Sequence, residues 1–257
     1  MKIINSYLYF LLFSACLSII LTISACCTCK DLDKNRMSEA LTSAQEALKS
    51  AQHANDLHEL NNLMSMHVWY HSALLNDVDM EKNWSKRDDI VFAQNFGCYI
   101  GPESIKAYYG QTYTRESTKG TYMWHPTTTS VIEVAGDRKT AKGVWYTPAG
   151  IIGAFKDEPV NFNWMFEKYG VDFVMEDGKW KIWHMHIYTD IAWAIGAKIR
   201  STGGGIDFTD LSKIREPDKA EENYKQLSPA TEMTLVPRPP EPYETWEETW
   251  SYVDPGE

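Results

Sequence analysis

Hydrophobic and polar positions alternate most clearly between Asn163 and Thr189. Two runs, 163–175 and 180–189, are rich in aromatic and β-branched residues, and Glu176-Asp177-Gly178-Lys179 separates them. An Asp-Gly pair supplies the positive φ angles of a two-residue turn, so the runs are predicted to pair as an antiparallel hairpin. Counting back from that turn sets Met175 opposite Trp180, Phe173 opposite Ile182, Val171 opposite His184, Tyr169 opposite His186 and Glu167 opposite Tyr188. Side chains alternate along a strand, so all of these are predicted on one face. That face is apolar near the turn and ionisable away from it, the lining of a deep pocket with a wet mouth. The other face, with Trp164, Phe166, Asp172, Val174, Trp183, Met185 and Ile187, is also largely apolar, so both sides need cover.

An earlier pair of β-rich runs, 127–135 and 140–147, flanks Gly136-Asp137-Arg138-Lys139 and predicts another hairpin. His125 stands just before it, where Pro126 disturbs the strand entry and leaves the direction of the imidazole open. From Met37 to about Asn76 the period changes to that of a helix. Met37, Leu41, Ala44, Leu48 and Ala51 recur at intervals of four and three, and Leu57, Leu60, Met64 and Val68 continue one apolar face after a small shift. This is either one long helix or two with a break near Asn55-Asp56. Its first half reads as a spacer or as one strand of a coiled coil with a second copy.

Several of these pieces occur together in a known family. His125, the Val131-Ile132-Glu133-Val134-Ala135-Gly136-Asp137 hairpin with Thr140-Ala141, and the closing Glu176-Asp177-Gly178-Lys179-Trp180-Lys181-Ile182 resemble the SnoaL-like branch of the nuclear transport factor 2-like superfamily. Gly101-Pro102-Glu103-Ser104-Ile105 with Tyr108-Tyr109 is similar to that family's short helix, and Tyr70 matches the tyrosine near the end of its first one. The resemblance covers about residues 55 to 190. It implies an α+β fold, a cone-shaped curved antiparallel sheet packed on N-terminal helices with a pocket between them. Characterised relatives include scytalone dehydratase, ketosteroid isomerase, polyketide cyclases and a bile acid dehydratase. The family also contains proteins without catalysis, so membership alone does not establish chemistry.

The ends of the chain extend the picture. After Lys2, an apolar run from Tyr7 to Ile23 leads into Ser24-Ala25-Cys26. Residues 1–25 therefore read as a signal peptide or membrane anchor, and Ile23-Ser24-Ala25-Cys26 resembles a bacterial lipobox that would make Cys26 a lipid-attachment site. The expectation is an exported protein, anchored like a lipoprotein or secreted, with the membrane engaged through its N-terminus. Residues 26–54 form a tether and helical spacer, 55–200 the α+β domain, and 201–257 a Pro-rich, aromatic C-terminal arm expected to pack on the outer sheet face. A net charge of −10 and the lack of a basic stripe exclude nucleic acid as a partner. A homo-oligomer remains open.

The chemistry is weighed on these residues. His67 and His71 are spaced i, i+4, but Val68 stands where a zinc-protease helix carries its glutamate, so structural roles are favoured. His184-Met185-His186 with His125 could form a three-histidine zinc centre, whereas the resembled branch works mostly without metal. The sharper expectation needs no cofactor. Elimination of water, or migration of a double bond beside a carbonyl, requires a base, a donor for the developing enolate and an acid. By carry-over from the resembled dehydratases, His125 is the general acid/base and Tyr70 the hydrogen-bond donor. Glu167, Tyr169, His184, His186 and Tyr188 are the pocket residues from the hairpin. Some relatives place an aspartate five residues after that tyrosine, where this chain has Leu75, with Asp77 and Asp79 displaced, so Glu167, predicted inward, is a substitute candidate. Two functions follow: a lyase or isomerase acting on a hydrophobic alcohol or ketone, or a non-catalytic, membrane-tethered protein that binds a hydrophobic small molecule or a partner.

Overall fold

The computed structural model describes residues 34–112, 122–153, 161–194, 215–220, 232 and 235–253. The signal or anchor segment, Cys26 and the first part of the C-terminal arm lie outside them. No described helix is long and apolar enough to cross a membrane. The chain divides into a unit ending at Gln52 and a second from His53 onward.

Helix α1 (Lys34–Ser72) is continuous through Asn55-Asp56. Positions 36–51 are exposed, including Met37, Leu41 and Leu48. Within the second unit one face is buried at Asp56, Leu60, Met64, His67 and His71, spaced by four or three, as one helix face requires. Asp56 is the polar member of that stripe. It accepts both arms of the Arg138 guanidinium at 2.7 and 3.0 Å and Trp180 Nε1–H at 3.2 Å, which ties the helix to two strand turns. A short helix α2 (Asn76–Lys82) follows, and α3 (Pro102–Thr112) begins with proline at its first turn, where a missing N–H costs nothing.

Among the described residues, eight strands form one open sheet: β1 (Val91–Gln94), β2 (Gly97–Ile100), β3 (Tyr122–Trp124), β4 (Thr128–Val134), β5 (Thr140–Gly153), β6 (Asn161–Glu176), β7 (Lys179–Ala194) and β8 (Lys219–Ala220). Their order is β3-β5-β6-β7-β1-β2-β8, with β4 also on β5. The sheet departs from the all-antiparallel expectation at one place, where β1 runs parallel to β7. The β6–β7 turn is as expected: Asp177 and Gly178 have φ of 49° and 72°, the two positive values of a type I′ hairpin.

The register does not continue as simple counting predicts. Met175 pairs with Trp180 and Phe173 with Ile182, but Asp172 then pairs with His184, because Trp183 is an extra residue in β7. A bulge inserts one residue and exchanges the two faces beyond it. The same offset sets Glu167 opposite Thr189, and a second irregularity, at Asp190, sets Phe166 opposite Ile191. The inner face of the hairpin is therefore Phe173, Val171, Tyr169 and Glu167 with Ile182, Met185, Ile187 and Thr189. His184, His186 and Tyr188 lie on the outer face, not with Tyr169 and Glu167. The main core packs the inner residues against Leu60, Met64, Trp84, Phe92, Tyr99, Ile105, Tyr108 and Tyr109.

Residues 235–253 lie on the outer face. Backbone N–H groups of Gly136 and Asp137 donate to the carbonyls of Tyr243 and Glu244, and the Tyr252 ring sits where a Cβ on Gly170 would be, 2.7 Å from it. His186 Nδ1 at 2.9 Å and the Tyr188 hydroxyl at 3.1 Å both donate to the Tyr252 carbonyl.

Candidate active site

Where α1 ends, its buried stripe meets α2, α3 and the inner sheet face, and the meeting point is polar. Asp79 of α2 is fully buried. Its Oδ2 accepts from His67 Nδ1 at 2.8 Å, Trp84 Nε1 at 3.0 Å and the Tyr109 hydroxyl at 3.1 Å, and its Oδ1 accepts from Asn83 Nδ2 at 2.7 Å. Burial pushes the Asp79 carboxyl up, but the His67 charge and the hydrogen bonds from His67, Asn83 and Trp84 outweigh it and hold it below the usual carboxylate range. An ionised carboxylate only accepts, so His67 Nδ1 is the donor, and the ring's one site for a lone pair is Nε2. That Nε2 is buried and has no hydrogen-bond partner.

Three imidazoles form a row. His67 and His71 are parallel with centroids 6.0 Å apart, and His71 meets His125 edge-on at 4.8 Å. His125 is turned inward and is 4% exposed. Burial, then His71 and His67, push its pKa well below the ordinary histidine value, so it is neutral. Its Nε2 is 3.7 Å from Oε2 of Glu167, too long for a hydrogen bond. Glu167 is itself pushed up to about 7, first by burial and then by Asp190, against a hydrogen bond from Thr189 Oγ1 at 2.9 Å. The His125–Glu167 contact is thus a neutral imidazole beside a carboxyl group that gains and loses its proton near neutral pH. Tyr169 lies edge-on to His67 at 5.9 Å, and burial, Glu167 and Asp79 keep its phenol protonated.

Four buried polar atoms of this inner region have no partner: His67 Nε2, His125 Nδ1, the Tyr169 hydroxyl and Thr147 Oγ1. Thr147 is paired in register with Glu167. Beyond it lies a second, smaller apolar cluster of Met123, Ala149, Ile151 and Met165, with Leu74 and Ala192 against it. On β5 and β6 the polar belt is bounded by an apolar cluster on each side, the order of groups that would hold a mainly apolar molecule by one polar end.

The structure revises several sequence expectations. Tyr70 is partly exposed, its hydroxyl accepts from Lys82 Nζ at 3.3 Å, and it lies outside the buried cluster. His184, His186 and Tyr188 face the C-terminal segment, so they and His125 do not converge as a zinc triad. No group of three or more His, Cys, Asp or Glu among the described residues is arranged to hold a metal ion. His125, Glu167 and Tyr169 do come together. His67 and His71, read from the sequence as structural, join them, as do Asn76, Asp79 and Thr147, which the sequence left without a role. The signal for the first two was available, since 56, 60, 64, 67 and 71 continue one stripe. Asp79, four residues beyond Leu75, gains its place from Asn83 and Trp84 close by in sequence and from His67 of α1 and Tyr109 of α3, which the sequence did not bring to it.

The model for the SnoaL-like domain matches residues 52–186, just over half of the chain. No curated protein matches the sequence. Among solved structures, a candidate scytalone dehydratase from Novosphingobium aromaticivorans is similar at 12% identity, covering 62% of this chain and 97% of that one, with a TM-score of 0.45. The hexachlorocyclohexane dehydrochlorinase LinA-type3 from Novosphingobium barchaimii is similar at 14% identity, over 56% and 93%, with a TM-score of 0.45. ActVI-ORFA from Streptomyces coelicolor is similar at 11% identity, over 53% and 98%, with a TM-score of 0.42. Likenesses this distant concern general shape and carry no chemistry to this chain.

Proposed function

This chain belongs to the SnoaL-like family of the nuclear transport factor 2-like superfamily, and from that premise we propose that it is a lyase or isomerase acting on a hydrophobic alcohol or ketone. The observation that carries the reading is the set of four unpartnered buried polar atoms on the inner face. Buried polar groups are nearly always paired, and a cluster without protein partners supports a site that receives water or a polar ligand group.

His67 Nε2 is the base. It removes the acidic C–H proton beside the substrate carbonyl, and Asp79, already bonded to Nδ1, stabilises the imidazolium that forms. The Tyr169 hydroxyl donates to the oxygen on which negative charge develops. Glu167, protonated near neutral pH, supplies the proton to the departing hydroxyl, which leaves as water, or to the distal carbon in an isomerisation. His125 stands beside it as the neutral group through which that proton is exchanged. The two carboxyl groups are shifted in opposite directions, Asp79 down and Glu167 up to about 7, which supports this division of base and acid. Met123, Met165, Ile151 and Leu74 would hold the apolar part of the substrate.

The test uses hydrophobic β-hydroxy ketones as probes and follows absorbance of the enone product. His67→Gln should lower kcat by about 10²–10⁴-fold with far-UV circular dichroism unchanged. Equal probe affinity in both proteins with turnover in neither would instead favour a non-catalytic binding protein.

A further inference from the structure

His67 and His71 lie one turn apart on α1 and are held by chemically different partners. His67 gives its Nδ1 proton to a carboxylate. His71 Nδ1 lies 2.9 Å from Oδ1 of Asn76. The direction of that amide is fixed independently, because Asn76 Nδ2 is 2.9 Å from the backbone carbonyl of Tyr109, which can only accept. The amide oxygen therefore faces His71, and an amide oxygen has no proton to give. His71 Nδ1 must be the donor.

We propose that Asn76 is a positioning residue that holds the buried His71 as its Nδ1–H tautomer without placing an anion beside it, so that the positive charge created by proton abstraction is confined to His67. The second half of this statement rests on the reading of His67 as the base. His71 is faced by His67 on its own helix, Asn76 and Asp79 from α2, Tyr109 from α3 at 5.6 Å, and His125 after β3. Burial first, then His67, push it down to about 4, against the Asn76 hydrogen bond and Asp79. A carboxylate at position 76 would reverse the balance. It would build a second anion–imidazole pair beside the first, and His71 would take up a proton 6.0 Å from the ring that must become charged during turnover.

The experiment is nitrogen-15 NMR of the imidazoles in the full chain, combined with the pH dependence of kcat/KM. Wild-type His71 should show the Nδ1–H tautomer and no titration above about pH 5. In N76D, His71 should titrate above about pH 6, and the acid limb of kcat/KM should move up by about one pH unit or more. A wild-type Nε2–H tautomer, or wild-type titration above about pH 6, would overturn the lock, and this measurement needs no variant to fold. The expected tautomer with an unmoved acid limb in N76D would overturn the charge-confining role. The expected tautomer in a protein without turnover would refute the catalytic reading while leaving the lock in place.

Discussion

One sheet buries ionisable groups on both faces, and the two sets differ in how fully they are satisfied. On the outer face Asp172 accepts from Lys142 Nζ at 2.6 Å, Ser251 Oγ at 2.7 Å, His184 Nδ1 at 3.0 Å and the Tyr252 backbone N–H at 3.1 Å. Lys142, fully buried, lies over the rings of Trp246, Trp250 and Tyr252 at 4.8, 5.0 and 4.5 Å and also donates to the Trp250 carbonyl. Burial pushes Asp172 up, but His184 and Lys142 outweigh it and keep it ionised. His184 Nε2 reaches the Asp89 carbonyl at 3.2 Å, so this network closes on itself. The inner side gathers Asp79, Glu167 and the imidazoles of His67, His71 and His125 and leaves four atoms open, against Thr249 Oγ1 in the outer segment. A closed network fixes the C-terminal segment to the sheet, whereas an open one is available to chemistry.

The contrast is broken most severely at its closed end. Asp172→Ala leaves the Lys142 ammonium buried without its anion and should cost about 3–5 kcal/mol in urea unfolding. A loss below about 1 kcal/mol would mean that the outer network holds nothing together.

Next in size is the pH dependence at Glu167. Its folded pKa lies above the unfolded value, so the stability it contributes is full below about pH 4.5 and lost as pH rises through about 7, a change of about 3 kcal/mol. His71 acts in the opposite sense, its contribution being present above about pH 6.5 and lost as pH falls through about 4. The two partly cancel between about pH 4.5 and 6.5, so Glu167→Gln should make stability rise more steeply with pH there. Parallel stability curves for the two proteins would contradict a neutral buried Glu167. The smallest effect belongs to the open end: Tyr169→Phe removes a hydroxyl with no partner and should change unfolding free energy by no more than about 0.5 kcal/mol. A loss near 2 kcal/mol would reveal a structural bond at that oxygen.

Much of the fold was legible. Both hairpins follow from polar turns between β-rich runs, and the long helix from its spacing of four and three. The site was less so. Glu167 and Tyr169 face inward as alternation along β6 predicts, and His125, whose direction the sequence left open, is buried beside Glu167. His184 and His186 were misplaced because nothing in Ile182-Trp183-His184 announces that Trp183 is an extra residue. Tyr70 was displaced by His67 and His71 because the helix rotation that buries one stripe is set by what packs on it.

Local composition alone thus determined the elements, the Asp177-Gly178 reversal and the identity of most ionisable groups near the centre. Only tertiary structure decided which of them face one another. A bulge reverses facing beyond it, and whether a buried polar atom finds a partner depends on segments distant in sequence, as Asp172 with Ser251 and Asp79 with Tyr109 both demonstrate.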